Sequence, residues 1–280
     1  MKALFWLSAI GLAYLYFGYP AWVWLMARLR PRPVRKAPYG GLCSVVIAAH
    51  NEADTLPGKI AGLLAWADGE RIGEIVVGSD ASDDGTVQAV EALRDNRVRV
   101  VGFPERRGKA AVLNDLVPQC RSEVVVLTDA RQEIEPGALA ALLSNFADGR
   151  GGVVSGELVF RGGGSTVAAR GVGFYWRYEK FIRRSESCFG SVPGATGALY
   201  AMRKELFRPI HPDSLLDDVA IPMQAVVGGA RCVFEDGAVV YDRPAESVAA
   251  ENIRKRRTIA GNAQLIALYP GWLLPWRNPI

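Results

Sequence analysis

Residues 124–132 read VVVLTDARQ, and the change of polarity inside them decides the fold. Val124 to Leu127 are four apolar residues in a row, a composition that suits a strand buried on both faces. Asp129 follows Thr128 directly, so the strand delivers a carboxylate to the edge of a sheet. The same pattern recurs upstream. LCSVVIAA (42–49) leads into His50-Asn51-Glu52, EIVVGS (74–79) into Asp80 and an ASDDGT run, and VRVVGF (98–103) into PERRGKAA. Between them lie segments with helical periodicity: DTLPGKIAGLLAWA, DGTVQAVEALRD, GKAAVLNDLVPQC and, after Asp129, PGALAALLSNFA. Strands alternating with helices predict an α/β fold with a mostly parallel central sheet and helices on its faces. Ligands in such sheets bind beyond the carboxyl ends of the strands. Turn and cap preferences explain any one of these polar ends. Four in succession on one edge argue for a site, rich in acids with Lys109 and Arg107 beside them, suited to a nucleotide and a metal.

The chain has 280 residues, 50% of them hydrophobic, enough for one large domain or two small ones. A formal net charge of +4 does not suggest a nucleic-acid partner. The cysteines, Cys43, Cys120, Cys188 and Cys232, are far apart and form neither a zinc pattern nor a dense disulfide scaffold. Ala3 to Ala27 carries no charge, which is long enough to cross a bilayer as a helix. Arg28, Arg30, Arg32, Arg35 and Lys36 follow. That basic excess predicts a cell-membrane protein, single-pass or with more spans if the sequence is shortened, with the rest of this chain in the cytosol. A cleaved signal peptide is the rival reading; the apolar run is long for one, and MARLRPRP is a poor cleavage site. RPRPVRKAPYGG reads as an extended basic linker, since its prolines oppose helix, and it has the charge to sit against anionic headgroups. The expected divisions are therefore an anchor (1–27), a basic linker (28–41), an α/β domain (42–250) and a basic helix with an amphipathic interfacial segment (251–280).

The second half is less regular. GGVVSGELVF reads as a strand, VAARGVGFYWRYEKFIRRSES as an amphipathic helix, and VPGATGALYAMRKELF as a glycine-rich turn, a strand and a short helix. SLLDDVAIPMQAVVGG begins a helix with paired acids. RCVFEDGAVVYD is one strand or a hairpin. The last segment, TIAGNAQLIALYPGWLLPWRNPI, is apolar, aromatic and proline-broken, which suits a helix lying in an interface.

In order, SVVIAAHNE, GSDASDDGT, RRGKAAVLN, VVVLTDA, GATGALYAMRKELF, LLDDVAIPMQ and RKRRTIAGN resemble a family 2 glycosyltransferase of the Rossmann-like GT-A fold. The resemblance covers roughly Cys43 to Leu268. It is to the membrane-bound branch that includes cellulose, hyaluronan and poly-N-acetylglucosamine synthases. It implies an inverting transfer from a nucleotide sugar, a UDP-sugar in the first instance, to a glycan or lipid-linked acceptor. Ala48, His50 and Glu52 would hold the base, Asp80 would contact uracil, and Lys109 would approach the diphosphate. An acid accepts from an imide N–H, and a lysine neutralises phosphate charge. Asp218 would be the base that takes the acceptor's proton, with Asp217 beside it. Arg257, with Arg254 one helical turn away, would face the diphosphate.

Two motifs depart from that pattern. The family's DxD reads Asp129-Ala130-Arg131, so the second acid is missing. Three readings follow: Asp129 still holds Mg²⁺ or Mn²⁺, with Asp217 or water filling in; Arg131 does part of the cation's work on the diphosphate; or Arg131 turns away to Glu133 or Glu135. The family's QxxRW reads Arg254-Lys255-Arg256-Arg257-Thr258, and losing the Trp argues against long-chain synthesis. Relatives continue into further membrane helices: either this sequence is shortened, or the enzyme lacks the pore and a channel would need a membrane partner subunit. A nucleotidyltransferase is a competing enzyme class, although AAHNE stands where its glycine-rich basic signature belongs. A degenerate, non-catalytic nucleotide-binding subunit of a synthase complex is the non-enzyme reading.

Overall fold

A computed structural model describes residues 1–65, 67–149, 151–161, 167–243 and 247–274, with side chains of 67–68, 167–175, 248 and 250 set aside. Eight strands form one mixed sheet in the order β3-β2-β1-β4-β7-β6-β8-β5. Its first half is the predicted parallel unit. β1 (Cys43–Ala49), β2 (Ile72–Asp80), β3 (Val98–Phe103) and β4 (Val124–Thr128) run parallel, and every residue of β4 is buried. The second half is mixed. β7 (Leu199–Arg203) lies antiparallel between β4 and β6 (Gly151–Phe160), and β8 (Arg231–Asp242) runs parallel to β6. β8 is a single strand with a register shift, not a hairpin. The two-residue β5 (Glu133–Ile134) pairs with β8 at the edge.

Helices α3 (Leu56–Ala65), α4 (Thr86–Glu91), α5 (Lys109–Leu116) and α6 (Ala138–Ser144) follow the parallel strands. Two apolar clusters fill the space on either face of the sheet, one around Ile47, Ile75 and Leu142, the other around Val46, Leu113 and Tyr200. A side chain at Gly78 would lie 2.4 Å from Val112 and 2.7 Å from Leu116. Glycine there lets α5 close onto β2, which sets the height of Lys109 at the helix start.

Lys2 to Leu29 is continuously helical: α1 (Lys2–Ala13), a π-helical turn at 14–18, and α2 (Tyr19–Leu29). It is long and apolar enough to cross a membrane. Its second half rests on α7 (Val167–Phe189): Tyr19 donates to Glu186, and Trp22 meets Phe189 edge-to-face. The basic stretch that follows is extended, as its prolines require, but it is strapped to the domain. Lys36 pairs with buried Glu235 at 2.5 Å, and the amides of Arg32 and Ala37 donate to Cys188 and Ser144 carbonyls. α9 (Val248–Leu268) runs across the expected boundary at 250–251. Residues 275–280 of the expected interfacial segment lie outside the described residues.

Candidate active site

Three loops at the carboxyl edge brace one another. After β1, Asn51 exchanges two hydrogen bonds with Asp83, while the Glu52 and Ala53 amides donate to Thr86 Oγ1 and Asp84. Two acids of the DASDDG run are therefore engaged in holding the loop at 51–53. Asp80, buried at the end of β2, accepts the Arg107 amide at 2.7 Å and the Gly108 amide at 2.9 Å. It fixes the loop from which Lys109 begins α5. Its own carbonyl accepts Nδ1–H of His50 at 2.7 Å; a carbonyl can only accept, so the imidazole proton sits on Nδ1.

Beside these loops is an open cavity of roughly 460 Å³. Ala48, His50, Asp80, Lys109 and Arg257 line it, joined by Arg106, Arg107 and the 212–215 loop. Glu52 lies to one side, accepting from the Thr55 hydroxyl and facing Arg131. Arg254 does not turn inward with Arg257: it pairs with Glu251 and lies over the Phe160 ring.

Lys109 joins the cavity to an acid cluster. Its Nζ lies 2.7 Å from Asp129 Oδ1 and 3.0 Å from Asp217 Oδ2. Burial works to lower its pKa, but the Asp217 and Asp129 charges prevail and hold the ammonium well above the ordinary lysine range. Asp217 and Asp218 open α8 (Asp217–Val227). Asp218 Oδ2 accepts the Gly197 amide at 3.2 Å. Burial, then the neighbouring Asp217 charge, push the Asp218 carboxyl up to about 6, with Lys109 opposing. Arg131 is exposed, and its Nε faces Glu52 Oε1 at 3.6 Å; its partner is neither Glu133, which pairs with Arg161, nor Glu135.

Several functional supports left no mark in the sequence. Ser155, on β6, accepts from Arg183 at 2.8 Å and from the Thr196 amide at 3.0 Å, which fixes the glycine-rich loop over Asp218. α9 grips the loop before the paired acids. Gln264 accepts the Leu215 amide and donates to the Asp213 carbonyl, and Gly261 leaves room for Leu216. Lys59 reaches from α3 to the end of β4. A lysine or glutamine inside an apolar helical period reads as a solvated residue, so no sequence signal marks these roles.

The domain is of the GT-A class. It superimposes with a TM-score of 0.74 on the mannosyltransferase PcManGT from Pyrobaculum calidifontis, solved in complex with GDP-Man and Mn²⁺. That match is 27% identical and covers 92% of this chain and 75% of the other. GalNAc-T7, solved with UDP, GalNAc and Mn²⁺, shares the fold at a TM-score of 0.56 and 17% identity, over 72% of this chain and 43% of its own. The chain belongs to glycosyl transferase family 2, whose family model matches residues 44–210, and it is a glycosyltransferase. The poly-β-1,6-N-acetyl-D-glucosamine synthase of Staphylococcus aureus (strain MSSA476) is 25% identical over 201 residues, 70% of this chain and 48% of that protein. The Staphylococcus epidermidis synthase is 25% identical over 183 residues, 64% of this chain and 44% of its own. The chain thus spans about half the length of the curated relatives it matches.

Proposed function

We propose that the chain transfers a sugar from a nucleoside diphosphate sugar, a UDP-sugar in the first instance, to a hydroxyl of a glycan or lipid-linked acceptor. The carrying observation is the seat of Asp218: it rests on the Gly197 amide next to Asp217, whose carboxylate pairs with the cavity-lining Lys109, and burial with the Asp217 charge raises its carboxyl to about 6. That value suits a general base working near neutrality. Asp218 takes the acceptor proton, and the oxygen attacks the anomeric carbon opposite the departing diphosphate, so an α-linked donor gives a β-linkage. Ala48 and His50 line the base side. Asp80 serves the nucleotide by holding the amides of Arg107 and Gly108 in place. Lys109 and Arg257 stabilise the charge that grows on the leaving diphosphate.

The donor set also fits Mg²⁺ or Mn²⁺. Asp129 and Asp217 converge on one point, now taken by Lys109 Nζ, and three carboxylates face that single ammonium. Among the described residues no three metal-ligating side chains close on an ion by themselves. A hard cation held by one or two carboxylates and completed by phosphate oxygens needs no more. Asp129, with Asp217, would hold it, and the ion would supply Lewis-acid stabilisation of the diphosphate. Mn²⁺ in the two solved neighbours supports this reading.

The apolar Lys2–Leu29 helix supports a membrane anchor, and the basic residues after it support a cytosolic catalytic domain; its product is a polysaccharide, as the names of the curated relatives suggest, or a glycolipid. The detergent-solubilised chain, given UDP-N-acetylglucosamine, Mn²⁺ and an N-acetylglucosamine oligomer, is expected to release UDP and form a β-linkage visible by proton NMR. An α-linkage would contradict inversion, and pyrophosphate release would make the protein a nucleotidyltransferase.

A further inference from the structure

We propose that Lys59 is a positioning residue of the donor site, whose ammonium fixes the turn that carries Asp129 and Arg131. The inference rests on the reading of Asp129 as a donor-site ligand. Lys59 belongs to α3, whose inward residues Leu56, Ile60 and Leu63 are buried and apolar. Its Nζ donates to Thr128 Oγ1 at 2.9 Å, to the Gln132 carbonyl at 2.9 Å and, more closely, to the Asp129 carbonyl. An ammonium has three N–H groups and no acceptor, so these three partners complete it. Two of them are the backbone carbonyls that flank the Ala130-Arg131 pair. Both accept from the same nitrogen, so the ammonium holds the two ends of the turn together.

The link extends to the base. Thr128 Oγ1 gives its single hydrogen to the Ala198 carbonyl at 2.6 Å, next in sequence to Gly197, which holds Asp218. Lys59 therefore ties the turn at 129–132 to the loop at 194–198, and so the donor side of the site to the acceptor side. Asp129 caps no helix: its turn leads into β5. Among the described residues no other side chain donates to the Gln132 carbonyl, and the Thr128 hydroxyl, 3.4 Å from the Asp129 carbonyl, has its one hydrogen on Ala198. Loss of the ammonium leaves both carbonyls without a cationic donor and frees the turn to move the Asp129 carboxylate off the Lys109 position.

The test is calorimetric titration of the full chain in detergent with UDP, in Mn²⁺ and in EDTA, for wild type, Lys59→Met, Asp129→Ala and the double variant, with folding checked by circular dichroism. Lys59→Met is expected to weaken Mn²⁺-dependent UDP binding about tenfold, leave binding in EDTA unchanged, and add nothing in the Asp129→Ala background. Lys59→Gln, which keeps a donor, covers failure of the Met variant to fold and is expected to fall between it and wild type. A folded Lys59 variant that binds UDP like wild type, while Asp129→Ala is weakened, overturns the proposal alone. An Asp129→Ala protein with unchanged binding overturns the donor-site reading beneath it.

Discussion

Gly197 donates its backbone N–H to Asp218 Oδ2 at 3.2 Å, and a Cβ placed on Gly197 would sit 3.1 Å from that same oxygen. The carboxylate is thus seated against bare backbone, where a methyl group would fit only if the carboxylate shifted by a few tenths of an ångström. Gly197→Ala is expected to push Asp218 away from its seat and cut kcat about tenfold or more, since small displacements at reacting groups carry costs of that order. UDP affinity, measured by titration, should stay as in wild type. A fall in both would make the loop a nucleotide-binding element.

Asp218→Asn keeps the Gly197 hydrogen bond and removes the base. Transfer should fall by about 10²–10⁴, the usual contribution of a positioned base, with UDP binding retained. The same variant should melt higher than wild type at pH 8. The folded state raises the Asp218 pKa from 3.8 to about 6, so its ionised form is disfavoured by folding. The advantage of Asn is full above pH 6 and disappears as pH falls from about 6 towards 3.8. Equal melting temperatures at pH 8 would mean that the carboxylate is not held at that cost.

The pH profile of transfer follows from the same group. Because the ionised base is the active form, kcat/KM, which reports the free enzyme, should drop about tenfold per pH unit below about 6 and level off above it. Asp218→Asn should abolish the inflection. A wild-type rate that stays flat from pH 7 to pH 5 would assign the proton to another acceptor.

Lys109→Met leaves Asp129 and Asp217 facing each other without the cation between them. Breaking a buried pair by removing one partner costs about 3–5 kcal/mol; Asp129 is partly exposed, so the lower end is expected by urea denaturation. UDP affinity should fall with stability, and added Mn²⁺ should recover part of both, as a divalent ion takes the vacated point. A variant as stable as wild type would show that the three groups do not act as one charged unit.

Much of the first half of the fold was legible because its strands are continuous apolar runs such as VVVLT and SVVIAA, which a buried parallel sheet requires. The insertion of β7 between β4 and β6 was not, since antiparallel neighbours chosen across 70 residues leave no local period. The paired acids and Lys109 were legible as a charged constellation at element starts. Asp83 and Asp84 were not legible as loop braces, because side-chain bonds to amides some 30 residues away leave no spacing rule. Gln264 and Lys59 escaped for the same reason: each acts through backbone that only the tertiary fold brings near. The basic stretch at 28–41 looked free because its charge suits solvent or headgroups, while its attachment runs through Lys36 to a buried Glu235.

The most direct test of the account is titration of the folded, detergent-solubilised chain with UDP and with GDP, each in Mn²⁺ and in EDTA. The account predicts UDP binding that is strong in Mn²⁺, weaker in EDTA and weakened again by Asp129→Ala. Binding of neither nucleotide by folded protein would contradict it and leave a scaffold in place of an enzyme.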